Sequence, residues 1–202
     1  MKTQVISYKK IIRLFPCYDP VDIGMPKNYE ASIIDFIEEY RTKVVEKNDI
    51  VWVLLREDYL SDKELRLFAV WCARQVQHLM KDERSIKAID VAEKFATGEA
   101  SKADLTEANA AAFAAYAYAD ARAAYATDAN AAKAAAWATD ADANAAKAAA
   151  WATDADATAA NAAANAVAAA DRTAKSDAVL AAAYAARIDR LLEIFKSRFI
   201  TS

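Results

Sequence analysis

Apolar residues return at helical intervals along almost the whole chain, and the strongest run is SDKELRLFAVWCARQVQHLM, Ser61 to Met80. Leu65, Phe68, Val70, Trp71, Cys72, Val76, Leu79 and Met80 keep to one side of a 3.6-residue repeat. Ser61 is a natural N-cap, with Glu64 three residues on to close a capping box and Leu60 placed to staple against Leu65. A stripe this wide needs cover from more than one partner, so Ser61–Met80 is expected to be the central helix of an all-α domain. Upstream, Val5, Tyr8, Ile11, Ile12 and Phe15 alternate with lysines, which favours a short amphipathic helix over 1–15, although Gln4–Ser7 suits a strand equally well. Pro16, Pro20, Gly24 and Pro26 then force an irregular connector.

From Tyr29 to about Lys47, Ile33, Ile34, Phe36, Ile37, Tyr40 and Val44 define a second amphipathic helix, with acids early and bases late as the helix dipole prefers. The six-residue run IVWVLL, Ile50–Leu55, has strand propensity. No second convincing strand exists to pair with it, so a short buried helix after Asp49 is expected instead. Asp82–Glu99 reads as another helix, capped by Asp82, buried through Ile86, Ile89, Val91, Ala92, Phe95 and Ala96, and stopped by Gly98 in a left-handed turn. Ser101 and Asp104 restart a helix.

Beyond Ser101 the pattern gives way to alanine, the best helix former. NAAKAAAWATDADA at Asn130–Ala143 recurs unchanged at Asn144–Ala157, and a looser relative covers Ala123–Lys133. Fourteen residues is only about four helical turns, too short for a known solenoid unit, so tandem copying within helical sequence is the plainer origin. A single helix to Phe199 would be roughly 150 Å long. Breaks are therefore expected at Thr127-Asp128, Thr139-Asp140, Thr153-Asp154 and Asp171–Ser176, giving three or four antiparallel helices. Alanine faces let axes approach near the close end of the 8–10 Å range. Val179–Phe199 regains bulk and should return onto the first half. The expected fold is thus an all-α multi-helix bundle: residues 1–100 form a helical part, and residues 101–202 a tightly packed, antiparallel alanine-rich part on the same domain. Such faces suit pairing between chains as well as within one, so a homo-oligomer stays open.

Composition narrows the chemistry. The 202 residues include only 2 Gly and 3 Pro, and neither type occurs after Gly98, which argues against a sandwich, a barrel or a glycine-rich phosphate loop. A net charge of −3 is too balanced to suggest nucleic acid or an anionic membrane as partner. No basic-then-apolar leader opens the chain and no apolar run approaches the ~20 residues of a membrane span, so a cytoplasmic protein is expected. Cys17 and Cys72 make no disulfide framework and read as buried thiols. The one histidine, His78, has no sequence cue bringing it near either cysteine and reads as solvated at a helix C-terminus. No paired Cys or His spacing suggests a metal, no cofactor motif is present, and no catalytic constellation stands out, so the chain is not expected to be an enzyme.

Binding chemistry gathers in the repeat. About 14 residues and roughly 21 Å separate Trp137 from Trp151, which fall within about 40° of each other on a continuous helix. Lys133 and Lys147 precede them by four residues, Asp140 and Asp154 follow by three, and Tyr125 stands in the looser copy. Each indole either covers the thin alanine surface of a neighbouring helix or joins its lysine in a repeated binding surface, suited to a partner protein or to the base and phosphate of a nucleotide. Six aspartates between Asp120 and Asp156 face only Arg122, Lys133 and Lys147, too small an excess for a mimic of DNA. The threonines at 127, 139, 153 and 158 keep no constant spacing, so they form no ice-matching row.

The block LRLFAVWCARQVQHLMKDERSIKAIDVAEKFATGEA with the alanine-rich tail ending ARIDRLLEIF resembles the Imm5-like immunity-protein family and related uncharacterised phage proteins. Leu65, Arg66, Leu67, Cys72, Ala73, Arg74, Asp82, Arg84, Ala88, Ile89, Gly98 and Glu99 occupy the corresponding places, and FPCYDP and DIVWVLL look like the family's N-terminal part. The resemblance spans most of the chain. It implies a non-catalytic binder that neutralises a partner protein, either a toxin or, as the phage relatives suggest, a component of a host defence system. Such proteins are assigned mainly by neighbourhood to toxin genes, so no catalytic residues carry over. The family's alanine helices often hold several histidines, whereas none follows His78 here. A sponge that sequesters a small signalling nucleotide is the alternative from a different class.

Overall fold

The computed structural model describes residues 5–45, 49–124, 165, 167–172 and 177–200. Over these the protein is all-α, apart from one two-stranded ribbon. The chain divides into two compact units, residues 1–61 with 177–202, and residues 62–176.

The first unit opens with β1 (Val5–Ser7), paired antiparallel to β2 (Glu30–Ser32) in the register Val5↔Ser32, Ile6↔Ala31, Ser7↔Glu30. Each strand ends in a serine that launches a helix. Ser7 is extended and accepts from the Lys10 amide at the start of α1 (Tyr8–Ile12). Ser32 accepts from the Asp35 amide at 3.1 Å and donates to the Asp35 carboxylate at 2.6 Å, opening α2 (Ile33–Tyr40). The helix expected over 1–15 is therefore strand then helix, and the one expected from Tyr29 starts only at Ile33. In both cases the extended serine cap sets the boundary. The helix stops at Tyr40, short of Lys47, where β-branched Thr42, Val44 and Val45 weaken helical propensity.

Between the strands the connector is itself ordered. Asp19 accepts from the Val21 amide at 3.0 Å and caps a 3-10 turn, Pro20–Ile23, whose first position is proline. Gly24 closes that turn in the left-handed region (φ 82°). Of the run IVWVLL all but Leu55 is helical as expected, within α3 (Asp49–Leu54), where Ile50, Val51, Val53 and Leu54 are buried. The last helix, described from Asp177 to Ile200 (α7 below), packs on α2 and α3. Ile188, Leu191, Leu192 and Phe195 are buried, Arg41 meets Asp189 at 3.0 Å, and Arg198 donates to the Tyr59 carbonyl at 3.0 Å.

In the second unit, α4 (Asp62–Gln75) buries Leu65, Phe68, Ala69, Val70, Cys72 and Ala73. The helix begins directly after Ser61 but ends at Gln75 rather than Met80. A 3-10 turn at Gln77–Leu79 follows, and the exposed His78 lies in it. α5 (Glu83–Thr97) is bounded as its sequence prescribes: Asp82 accepts from the Arg84 amide at 2.9 Å, and Gly98 ends the helix at φ 86°. α6 (Lys102–Ala124) starts from a reciprocal cap, in which Asp104 accepts from the Ser101 amide and hydroxyl and its own amide donates to Ser101 Oγ. α5 packs against both α4 and α6. Towards α4 the contact is bulky, and Arg66 lies largely buried over the Phe95 ring, 5.2 Å from its centroid, while bonding Asp62 at 3.0 Å. Arg74 reaches from α4 to both Asp90 and Glu93 on α5. Burial lowers its pKa and these two carboxylates raise it, with a net rise above the ordinary value. Towards α6 the contact is made by Ala88 and Ala112, with Ala108 and Phe113 beside them.

In the alanine-rich half, residues 167–171 are helical, Arg172 is in a turn and α7 is underway at Asp177, which brackets the break expected at Asp171–Ser176. The other three expected breaks lie outside the described residues.

Candidate functional site

Trp137, Trp151, Lys133, Lys147, Asp140, Asp154 and Tyr125 all lie outside the described residues. An apolar concave feature of the described residues lies instead in the first unit, at the connector that the sequence marks only as irregular. A cavity of about 270 Å³ lies between that connector, α1, α2 and α3. Its apolar walls include Ile11, Ile23, Met25, Phe36, Ile50 and Val53. Four of these reach the cavity for a local reason. The Asp19 cap and Pro20 turn aim Ile23 and Met25 inward, while the helical spacing of Ile50 and Val53 gives α3 one apolar face toward it.

One corner of the cavity is polar. The Tyr18 hydroxyl donates to Asp49 Oδ2 at 2.6 Å and accepts from the Val45 amide at 3.3 Å. One phenol thus ties the connector to the segment after α2 and to the start of α3. Cys17 stands beside it on the wall and is exposed, whereas Cys72 is buried and both are free thiols. The expectation of two buried thiols is corrected at Cys17, because Pro16 and the turn at Pro20 hold the segment on the surface.

Near the cavity along the chain, several apolar side chains are exposed. Phe15 is 90% exposed, Val45 63%, Val21 41% and Trp52 37%. All four line the cavity or adjoin residues that do. Phe15 also has a left-handed backbone (φ 55°), an uncommon conformation for a residue with a bulky side chain. It ends the turn after α1, its amide bonded to the Ile12 carbonyl. Arg56 stacks 5.0 Å from the Trp52 centroid, and burial pulls its pKa below the ordinary value, partly offset by Tyr59 and Asp58.

An apolar bowl with a polar corner can bind an apolar group. Among the described lining residues the charged group is the Asp49 carboxylate, which would oppose a phosphate rather than hold one. No group of His, Cys, Asp or Glu suited to a metal ion occurs among the described residues, and no helix among them is long and apolar enough to cross a membrane. No family model, curated protein or solved structure matches the chain.

Sequence reasoning missed this site because its parts are scattered over Ile11–Val53 and only the fold converges them. The available signal was Cys17-Tyr18 held between two prolines, directly after an aromatic residue.

Proposed function

We propose that the protein is a non-catalytic binder that inhibits or neutralises a partner protein, a toxin or a component of a host defence system. The observation that carries this reading is the apolar pocket with Trp52 on its wall, together with exposed Phe15, Val21 and Val45, each next in the chain to a lining residue. Folding alone leaves Phe15 almost wholly in water on a backbone that costs about 1–2 kcal/mol for a residue with a Cβ. Exposed apolar side chains beside a concavity are a feature of protein interaction sites, and buried aromatic anchors dominate their energetics. The resemblance to Imm5-like immunity proteins points the same way.

A sponge for a signalling nucleotide has less support. The aromatic–lysine repeat on which it rests lies outside the described residues, and the described pocket offers a carboxylate where a nucleotide needs cations.

Affinity capture from the cells that encode the protein, followed by reciprocal capture with the recovered partner, tests the reading. Wild-type protein should retain one stable partner, and Phe15→Ser and Trp52→Gln should each weaken that complex at least tenfold. A partner held equally well by both variants would remove this surface from the interface. Tight binding of nucleotides across a calorimetric panel, with no protein partner, would favour the alternative.

A further inference from the structure

Beyond partner binding, we infer that the pocket of the first unit holds a small, uncharged, apolar molecule of bicyclic size, recognised by shape and burial rather than by polar contacts. Three features of the pocket lead there. The first is its volume. An apolar cavity of roughly 150 Å³ takes benzene, so the 270 Å³ here extends in proportion to about ten carbon atoms. Pockets for drug-sized ligands begin near 300 Å³. The largest wholly apolar side chain, that of phenylalanine, is only toluene-sized and would leave part of the space unfilled.

The second is that the polar corner is already engaged within the protein. The Tyr18 hydroxyl donates to Asp49 Oδ2 at 2.6 Å and accepts from the Val45 amide at 3.3 Å, and both side chains hold a further interaction besides. The corner therefore makes little demand on a ligand, and its carboxylate opposes an anion. Water gains little there either, because a buried water needs two to four polar partners. Recognition falls to the apolar walls.

The third is that those walls are stiff. Ile11, Ile23, Val44, Ile50 and Val53 all line the pocket and are β-branched, with restricted χ1 rotation. Pro20 and the Asp19 cap fix the backbone beneath Ile23. The space is thus preformed and suits a rigid ring system. Solvent reaches it, since Cys17 and Trp52 stand on the wall and are exposed.

Full-length wild-type protein is titrated in sealed calorimetric cells with naphthalene, toluene and 1-naphthoate. Cys17 alkylation by iodoacetamide is followed in parallel, the other thiol of the chain being buried. Naphthalene should bind once per chain and slow the alkylation at least threefold. Toluene, which stands in for a phenylalanine side chain, should bind at least threefold more weakly because it buries less apolar area. The anionic 1-naphthoate should bind at least thirtyfold more weakly than naphthalene, since its charge would be desolvated without a partner. Ile23 is half-buried on the wall, so Ile23→Trp should fill the space and weaken naphthalene binding at least tenfold while the urea midpoint is kept.

No binding of naphthalene up to its solubility would overturn the inference, and so would unchanged Cys17 alkylation in the naphthalene complex, which would put the molecule elsewhere. Equal affinity for 1-naphthoate would overturn the uncharged class. Tightest binding by toluene would overturn the bicyclic ligand and give the pocket to a phenylalanine-sized side chain. A folded Ile23→Trp protein that binds naphthalene like wild type would remove this pocket as the site, and if that variant fails to fold the wild-type series decides alone. No partner protein is present in these titrations, so their failure leaves partner capture standing, and a failed capture leaves the ligand of this pocket standing.

Discussion

The two helical contacts that matter most here are built on opposite principles. Around the pocket and α7, large side chains such as Phe36, Tyr40, Ile50, Leu191 and Phe195 fill the interior. Where α5 meets α6, Ala88 and Ala112 do the same job with one methyl group each. Bulky side chains bury much area per residue but meet at irregular surfaces, and irregular surfaces leave concavities. Alanine buries little per residue and lets the helices nest closely, leaving no room for a guest. The apolar pocket described above lies among the bulky side chains of the first unit, and a binding function is sought there.

Substitutions of opposite sense should expose this contrast. Phe195→Ala, at a position fully buried in α7, should cost about 3–5 kcal/mol through lost transfer and the cavity left behind, read as a drop in the urea midpoint. At the alanine contact the damaging direction reverses: Ala112→Leu should destabilise by about 1–3 kcal/mol through overpacking. If Ala112→Leu were accepted without loss, the α5–α6 contact would be looser than its zero exposure indicates.

Smaller effects separate backbone from packing. Gly98 lies at φ 86° and a Cβ there would meet nothing within 4 Å. Gly98→Ala should therefore cost about 1–2 kcal/mol purely from the left-handed conformation, and less if the cap can shift. Asp82→Ala should cost about 1 kcal/mol through loss of the α5 N-cap.

Acid should report on the same caps. The Arg84 side chain first, and then its amide, hold the Asp82 carboxyl below its ordinary 3.8, and the Ser101 hydroxyl and amide lower Asp104 likewise. A depressed folded-state pKa contributes stability that is complete above the unfolded value and is lost as the pH falls through the folded one. Stability should accordingly decline below about pH 4, and Asp82→Asn should flatten the decline in urea titrations between pH 5 and 2.

The smallest effect belongs to Phe15. Phe15→Gly should range from neutral to about 1 kcal/mol stabilising, since glycine adopts positive φ freely, while partner binding is lost. A strongly destabilised Phe15→Gly protein would mean that the ring supports the fold rather than a partner.

How much of this is legible along the chain depends on the range of the forces involved. Asp82 and Gly98 frame α5 because capping is settled within four residues, and Ser101 with Asp104 restarts α6 for the same reason. Ile50–Leu54 is helical despite its strand propensity, following Asp49 at the start of α3. The ribbon is different. Gln4–Ser7 reads equally as helix or strand and Glu30–Ser32 is too short to announce itself, and the two pair because the connector brings them alongside.

The same division governs the candidate site. Local sequence determined that the protein would be helical, where α3 and α5 would begin and end, and that the second half would be rich in alanine. Only tertiary structure decided that Tyr18 would meet Asp49 across thirty-one positions, that Cys17 would face outward, and that Phe15 would stand in solvent beside a hollow. Caps and propensities act between neighbours in the chain. A cavity is a property of surfaces that meet, and it exists only once distant segments have been folded against one another.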